Sequence, residues 1–153
     1  MMYQNILVPL DGSDNSYMAL KHAVKLAQMF QSKLFLVNVI DITRLNAYSP
    51  AAYGGTLYTN LLKVAKDNSQ DILDCGQQLA TDAQVEALPI QVNSSPKASI
   101  ATDLPKKYAI DLIVMGKSGT NAVSRILLGS TTAYVVQKAE VNVAVINTPD
   151  DTD

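Results

Sequence analysis

The sequence predicts an α/β protein: an open, parallel, five-stranded sheet with helices on both faces. Three observations predict it. Short apolar runs recur five times along the chain. Stretches with apolar residues at helical spacing separate them. Most of the runs are apolar throughout, as strands covered on both faces must be. No internal repeat or linker interrupts the alternation. Residues 1–148 therefore read as one domain, and 149–153, the end of "TPDDTD", as a disordered tail.

The first run, "YQNILVPL" at 3–10, stops at Asp11-Gly12, a turn signal. A helix is expected over 14–31. There Ala19, Ala23, Leu26 and Phe30 recur on one face, and Ser13 or Asp14 is placed to cap the start. "KLFLVNVI", 33–40, is a buried strand. Residues 41–59 are polar, tyrosine-bearing and broken by glycine, so they read as a loop. A long helix fits 61–84, with Leu62, Ala65, Ile72, Leu79 and Ala83 as its core positions. "LPIQVN", 88–93, alternates as a strand does. A helix over 96–108 should kink or break at Pro105, which has no N–H to donate. "DLIVMG", 111–116, is the fourth strand, 130–138 the last helix, and "VNVAVIN", 141–147, the fifth strand.

The expected strand order is 3-2-1-4-5, a Rossmann-like arrangement, although the sequence by itself does not prove it. Ligands of open parallel sheets gather beyond the carboxyl ends of the strands, where the order reverses. That order would set Leu10-Asp11-Gly12 beside the loop that starts at Gly116.

Composition excludes several functions. A formal charge of −2 with interspersed signs leaves no footprint for nucleic acid. No apolar run approaches the ~20 residues a membrane-spanning helix needs. His22 is the only histidine, which argues against a histidine-rich zinc site and a Ser-His-Asp triad. Cys75 is the only cysteine, so an internal disulfide is impossible; with no signal peptide in view, the expectation is a cytoplasmic protein.

The chemistry concentrates in "MGKSGTNAVSRILLGSTT", 115–132, which holds three of the seven glycines. Bare backbone lets N–H groups approach a phosphate closely, and a helix N-terminus adds free donors and partial positive charge. Gly129-Ser130-Thr131 supplies both, together with hydroxyls, and Gly116 and Gly119 would face them. The same residues also suit a plain capped helix start between glycine turns. "GKS" at 116–118 is not a Walker A loop, because the first glycine of that pattern would fall on Asp111. G-x-G-x-x-G is absent as well.

Gly116, Gly119, Gly129 and Ser130 spell G-x2-G-x9-G-[ST]. With "ILVPLDGSDNS", "LVNVID" and "DLIVMGKSG", this string makes the chain resemble the ATP-binding branch of the universal stress protein family over nearly its whole length. The resemblance implies that Pro9, Leu10 and Asp11 border the adenosine and that Val39 touches the adenine. It implies that Met115 and Gly116 line the ribose and first phosphates, and that Gly119, Gly129, Ser130 and Thr131 hold the outer ones. ATP is the implied ligand, with AMP and ADP as alternatives and Mg2+ or Mn2+ as the accompanying cation. It also implies a homodimer through antiparallel pairing of strand five, 141–147; the alternative is an edge shielded by the chain's own tail.

Two departures touch the pocket. Ser94-Ser95 stands before Pro96 where many members carry glycine, and the long 41–60 connection, with Tyr48, Tyr53 and Tyr58, is either a lid over the base or a mobile loop. Asp11 is either a ligand of the nucleotide or a helix cap, and Lys117 and Arg125 either neutralise phosphate or stay solvated. No base and nucleophile pair is evident, so any hydrolysis of ATP should be slow. The rival functions are an adenylate-forming enzyme of the wider adenine-nucleotide α-hydrolase group and a nucleotide-free interaction module. The former usually carries a glycine pair where this chain reads "DGSDNS".

Overall fold

The computed structural model describes residues 2–48, 51, 54–118 and 127–148. The strands are β1 (Asn5–Pro9), β2 (Lys33–Asp41), β3 (Ala87–Ser94), β4 (Leu112–Gly116) and β5 (Asn142–Ile146). All pairings are parallel, and the order is β3-β2-β1-β4-β5. This is the expected order. The two-residue period gives each strand two apolar faces, which helices on both sides of the sheet bury.

The alternation is visible in the core. Ile6 and Val8 of β1, Leu34 and Leu36 of β2, and Leu112 and Val114 of β4 point to one face. There they meet α1 (Asp14–Phe30) and a long helix, α3 (Gly55–Asp82). Leu7, Phe35, Val37, Ile113 and Met115 point to the other face. That face is covered by a helical run over 96–107, labelled α4, and by α5 (Ser130–Lys138). Register places Leu7 of β1 level with Phe35 on one side and Ile113 on the other, a buried row across the middle of the sheet.

α1 starts where the residue types say it should. Ser13 is the N-cap, its Oγ accepting from Ser16 N at 3.2 Å, and the helix ends at Gln31 in the left-handed conformation. The buried face is Ala19, Leu20, Ala23, Val24 and Ala27; Leu26 and Phe30 are half-buried at its margin.

The connection after β2 differs from the expected loop. Asp41 caps a short helix, α2 (Ile42–Leu45), by accepting from Thr43 N at 2.9 Å, and a 3-10 turn follows at Asn46–Tyr48. α3 then begins at Gly55, six residues before the expected 61. Gly54, at φ 87°, makes the break that the glycine pair advertised, and Gly55 is already helical. The first turn of α3 carries no core-facing apolar stripe: Gly55, Thr56 and Leu57 are exposed and Tyr58 only half-buried. With nothing to bury there, the sequence has no helical period to display. Further along, Ile72 is buried, Leu79 and Ala83 pack partly, and Leu62 and Ala65 stay half-exposed. The closest approach is at Gly76, where a Cβ would come within 2.6 Å of Leu10 Cδ1.

Pro105 acts as its chemistry requires. It has no N–H to give to Ala101, and the run 96–107 absorbs this with a π-helical turn at Ser99–Asp103, where Leu104 N donates to Ser99 O. No helix of the described residues is long and apolar enough to cross a membrane.

Candidate functional site

A cavity of about 300 Å³ opens beyond the carboxyl ends of β2, β1 and β4. This is where the sheet's order reverses, since the chain winds outward from β1 to β2 and β3 and then returns to the far side of β1 as β4. Pro9, Leu10 and Asp11 form its centre, at the end of β1. Val37 and Val39 contribute from β2, Pro96 and Ile100 from α4, and Met115 and Gly116 from the end of β4. Gly129, Ser130, Thr131 and Thr132 close the remaining side at the start of α5. The fold thus brings to one cavity all the residues that the resemblance sets around the nucleotide except Gly119, which lies outside the described residues, as do Arg125 and Tyr53. The tail 149–153 lies outside them too.

The two ends of the cavity differ in chemistry. Toward β2 and α4 the walls are mostly apolar: Val37, Val39, Pro96 and Ile100. Toward α5 they are donors. Gly129 is the N-cap of α5 and makes no side-chain cap, so the N–H groups of the first turn emerge at the cavity wall without a capping side chain among the described residues. The wall is held in place by a short chain of bonds. Gly129 N donates to Lys117 O at 3.0 Å, Lys117 N to Ile146 O at 3.1 Å, and Thr132 Oγ1 to Gly116 O at 2.9 Å. The last bond is buried and ties α5 directly to the end of β4.

Gly116 has a reason to be glycine that the loop pattern did not reveal. A Cβ there would lie 2.9 Å from the Asn15 carbonyl oxygen and 3.0 Å from its carbon. The start of α1 packs against the last residue of β4 too closely for any side chain.

Asp11 has its Oδ1 in a turn, accepting from Ser13 N at 2.9 Å and from Ser13 Oγ at 2.5 Å. It therefore positions the cap of α1 while lining the cavity, whereas the direct cap is Ser13. Burial first, then the hydrogen bond and charge of Cys75 and the charge of Asp11, push the Tyr17 hydroxyl up to about 12. That phenol lies outside the cavity lining, donating to Ile72 O at 3.3 Å, and stays neutral at physiological pH.

Several lining residues escaped the sequence reading. Asn38 Nδ2 donates to Leu10 O at 2.8 Å and fixes the turn after β1 to β2. A lone amide inside the apolar run "FLVNVI" was the available signal. Asp41 and Arg44 line the cavity from the start of α2, with Arg44 Nε 3.8 Å from Asp41 Oδ2. Arg44, not Lys117, is the described cation on the wall. The Asp41-x-Thr43 spacing was the signal for the cap that puts it there. Ser118 also lines the wall, held by Asn15, for which no local pattern exists. Ser94 and Ser95 do not line it; Pro96 takes that place, and Ser95 serves as the N-cap of α4 without a side-chain bond. Tyr58 sits on α3 and is not among the lining residues. His22 and Cys75 are exposed on α1 and α3, away from this cavity.

Comparison with known proteins adds four findings. The model of the universal stress protein family matches residues 2–147. A universal stress protein of Methanocaldococcus jannaschii is 33% identical over 148 residues, 97% of this chain and 84% of the relative. Among solved structures, the universal stress protein UspA of Lactobacillus plantarum is 36% identical with a TM-score of 0.83, covering 95% of this chain and 99% of that one. A universal stress protein of Archaeoglobus fulgidus, solved in complex with dAMP, shares the fold at 18% identity. Its TM-score is 0.67, with 95% of this chain and 99% of that one covered.

Proposed function

The chain belongs to the universal stress protein family, and from that premise we propose that it binds an adenine nucleotide, ATP foremost with ADP and AMP as alternatives, as a cytoplasmic, dimeric sensor in the stress response. The observation that carries this reading is the two-ended cavity at the reversal of the sheet. Its apolar end, with Val39, Pro9 and Leu10, suits a purine and ribose. Its other end presents the N-terminus of α5 with Gly129, Ser130 and Thr131 as donors for phosphates, beside Met115 and Gly116. Asp11 is placed between the two, where a carboxylate accepts from a ribose hydroxyl. That a fold relative is solved with dAMP supports the ligand class.

A divalent cation, Mg2+ or Mn2+, would arrive with the phosphates. Among the described residues no group of three histidine, cysteine, aspartate or glutamate side chains is placed to hold a metal by itself, and oxygen ligands from a triphosphate suit such a cation. Hydrolysis should be slow at most, since the described lining holds neither histidine nor cysteine and the Asp11 carboxylate is engaged by Ser13.

β5 ends the sheet, and its Val143, Ala144, Val145 and Ile146 are only half-buried. An apolar edge of this kind is a template for pairing, which supports a homodimer through β5. Sedimentation should then report twice the 16.5 kDa chain mass.

The nucleotide reading is tested by thermal unfolding and by extraction of the ligand from natively purified protein. At an ATP concentration of ~100 Kd the midpoint should rise by about 5–10 °C, from ~2.7 kcal/mol of linkage in a chain of this size. An empty pocket and a midpoint indifferent to ATP, ADP and AMP would point instead to the nucleotide-free interaction module.

A further inference from the structure

The carboxamide of Asn15, in the first turn of α1, joins two segments that follow different strands. Its Nδ2 donates to Ser118 O at 3.1 Å and to Ser118 Oγ at 2.9 Å. Its Oδ1 accepts from Thr148 Oγ1, just past β5. Ser118 lines the cavity, and its neighbour Lys117 accepts from Gly129 N at the start of α5. The backbone of Asn15 meanwhile abuts Gly116.

The residue type is dictated by the partners. A carbonyl oxygen only accepts, so Ser118 O requires the amide nitrogen to face it. That leaves Oδ1 toward Thr148, whose hydroxyl can donate. An aspartate here would set a carboxylate oxygen against the Ser118 carbonyl. Serine or alanine would not reach both sides.

We propose that Asn15 is a positioning residue for the phosphate end of the cavity: its side chain holds Ser118 against the start of α5 and links that wall to the end of β5. This rests on the nucleotide reading above. The wall it holds adjoins the donors assigned to the outer phosphates, whereas the purine end is built from β1, β2 and α4. Loss of Asn15 therefore weakens ATP more than AMP, which lacks the outer phosphates.

The test measures Kd for ATP and for AMP by titration calorimetry on the wild type, Asn15→Asp, Asn15→Ala and Thr148→Val. Losing the bond to Ser118 O in Asn15→Asp, and all three carboxamide bonds in Asn15→Ala, should weaken ATP about tenfold while AMP stays within about twofold. Thr148→Val, which deletes only the bond to Oδ1, should shift the ATP-to-AMP ratio in the same direction by about threefold, and it stands if changes at position 15 prevent folding. A general loosening of the fold would lower both affinities together. An unchanged ratio in the variants that fold, with the wild type still binding ATP, overturns the role of Asn15 alone. A wild type that binds neither nucleotide overturns the nucleotide reading and this role together.

Discussion

Gly129→Glu should abolish the rise in melting temperature that ATP gives the wild type, while leaving the unliganded protein folded. Gly129 has φ −59° and ψ 154°, which any L-residue adopts, so the substitution imposes no backbone strain. A carboxylate at the N-terminus of α5 is also compatible with the helix dipole, which favours negative charge there. The cost falls on the ligand. The new charge occupies the place assigned to the phosphates, and at ~5 Å with an effective dielectric constant of ~20 one like-charge pair costs about 3 kcal/mol. That corresponds to a loss on the order of 100-fold in affinity, enough to remove the thermal shift at ordinary ATP concentrations. Calorimetry and thermal unfolding of the same preparation separate the two effects. A full ATP shift in the variant would mean that the nucleotide, if bound, does not use this helix start.

Gly116→Val should lower stability by about 3 kcal/mol, seen as a fall of roughly 6–12 °C in the unfolding midpoint of the ligand-free protein. The reason is packing rather than conformation, because Gly116 is not among the residues at positive φ. The atoms a Cβ would meet belong to the Asn15 backbone, at 2.9 and 3.0 Å, and cannot rotate away. α1 must shift, and its start carries Ser13, Asn15 and the bonds they make to Asp11 and Ser118. Gly55→Ala is the control. Its Cβ would meet nothing within 4 Å, and the midpoint should change little. A midpoint for Gly116→Val equal to that control would show that α1 does not press on β4 as closely as described.

The glycine pattern illustrates how far local sequence reaches. Gly116 and Gly129 stand out as glycines in the same string, yet their surroundings differ. Gly129 is an N-cap on the cavity wall with an ordinary backbone conformation, and Gly116 is a contact point between α1 and β4. Spacing along the chain registers both without telling them apart. The connection after β2 makes the same point in another way. Its helices were invisible because the start of α3 lies outside the core, and a helix with no face to bury writes no apolar period.

What the sequence determined by itself was the alternation of five strands with helices, the burial of both sheet faces, and the concentration of small residues after β4. These are readable because burial imposes a period of two on strands and of about 3.6 on helices, and that period is written in consecutive residues. Tertiary structure alone decided that Arg44 and Asn38 line the cavity, that Asn15 reaches Ser118 across 103 residues of chain, and that Gly116 must be bare. Such choices depend on which atoms meet after the sheet has assembled. A hydrogen bond or a close contact between distant residues leaves no period behind, so only the folded chain discloses it.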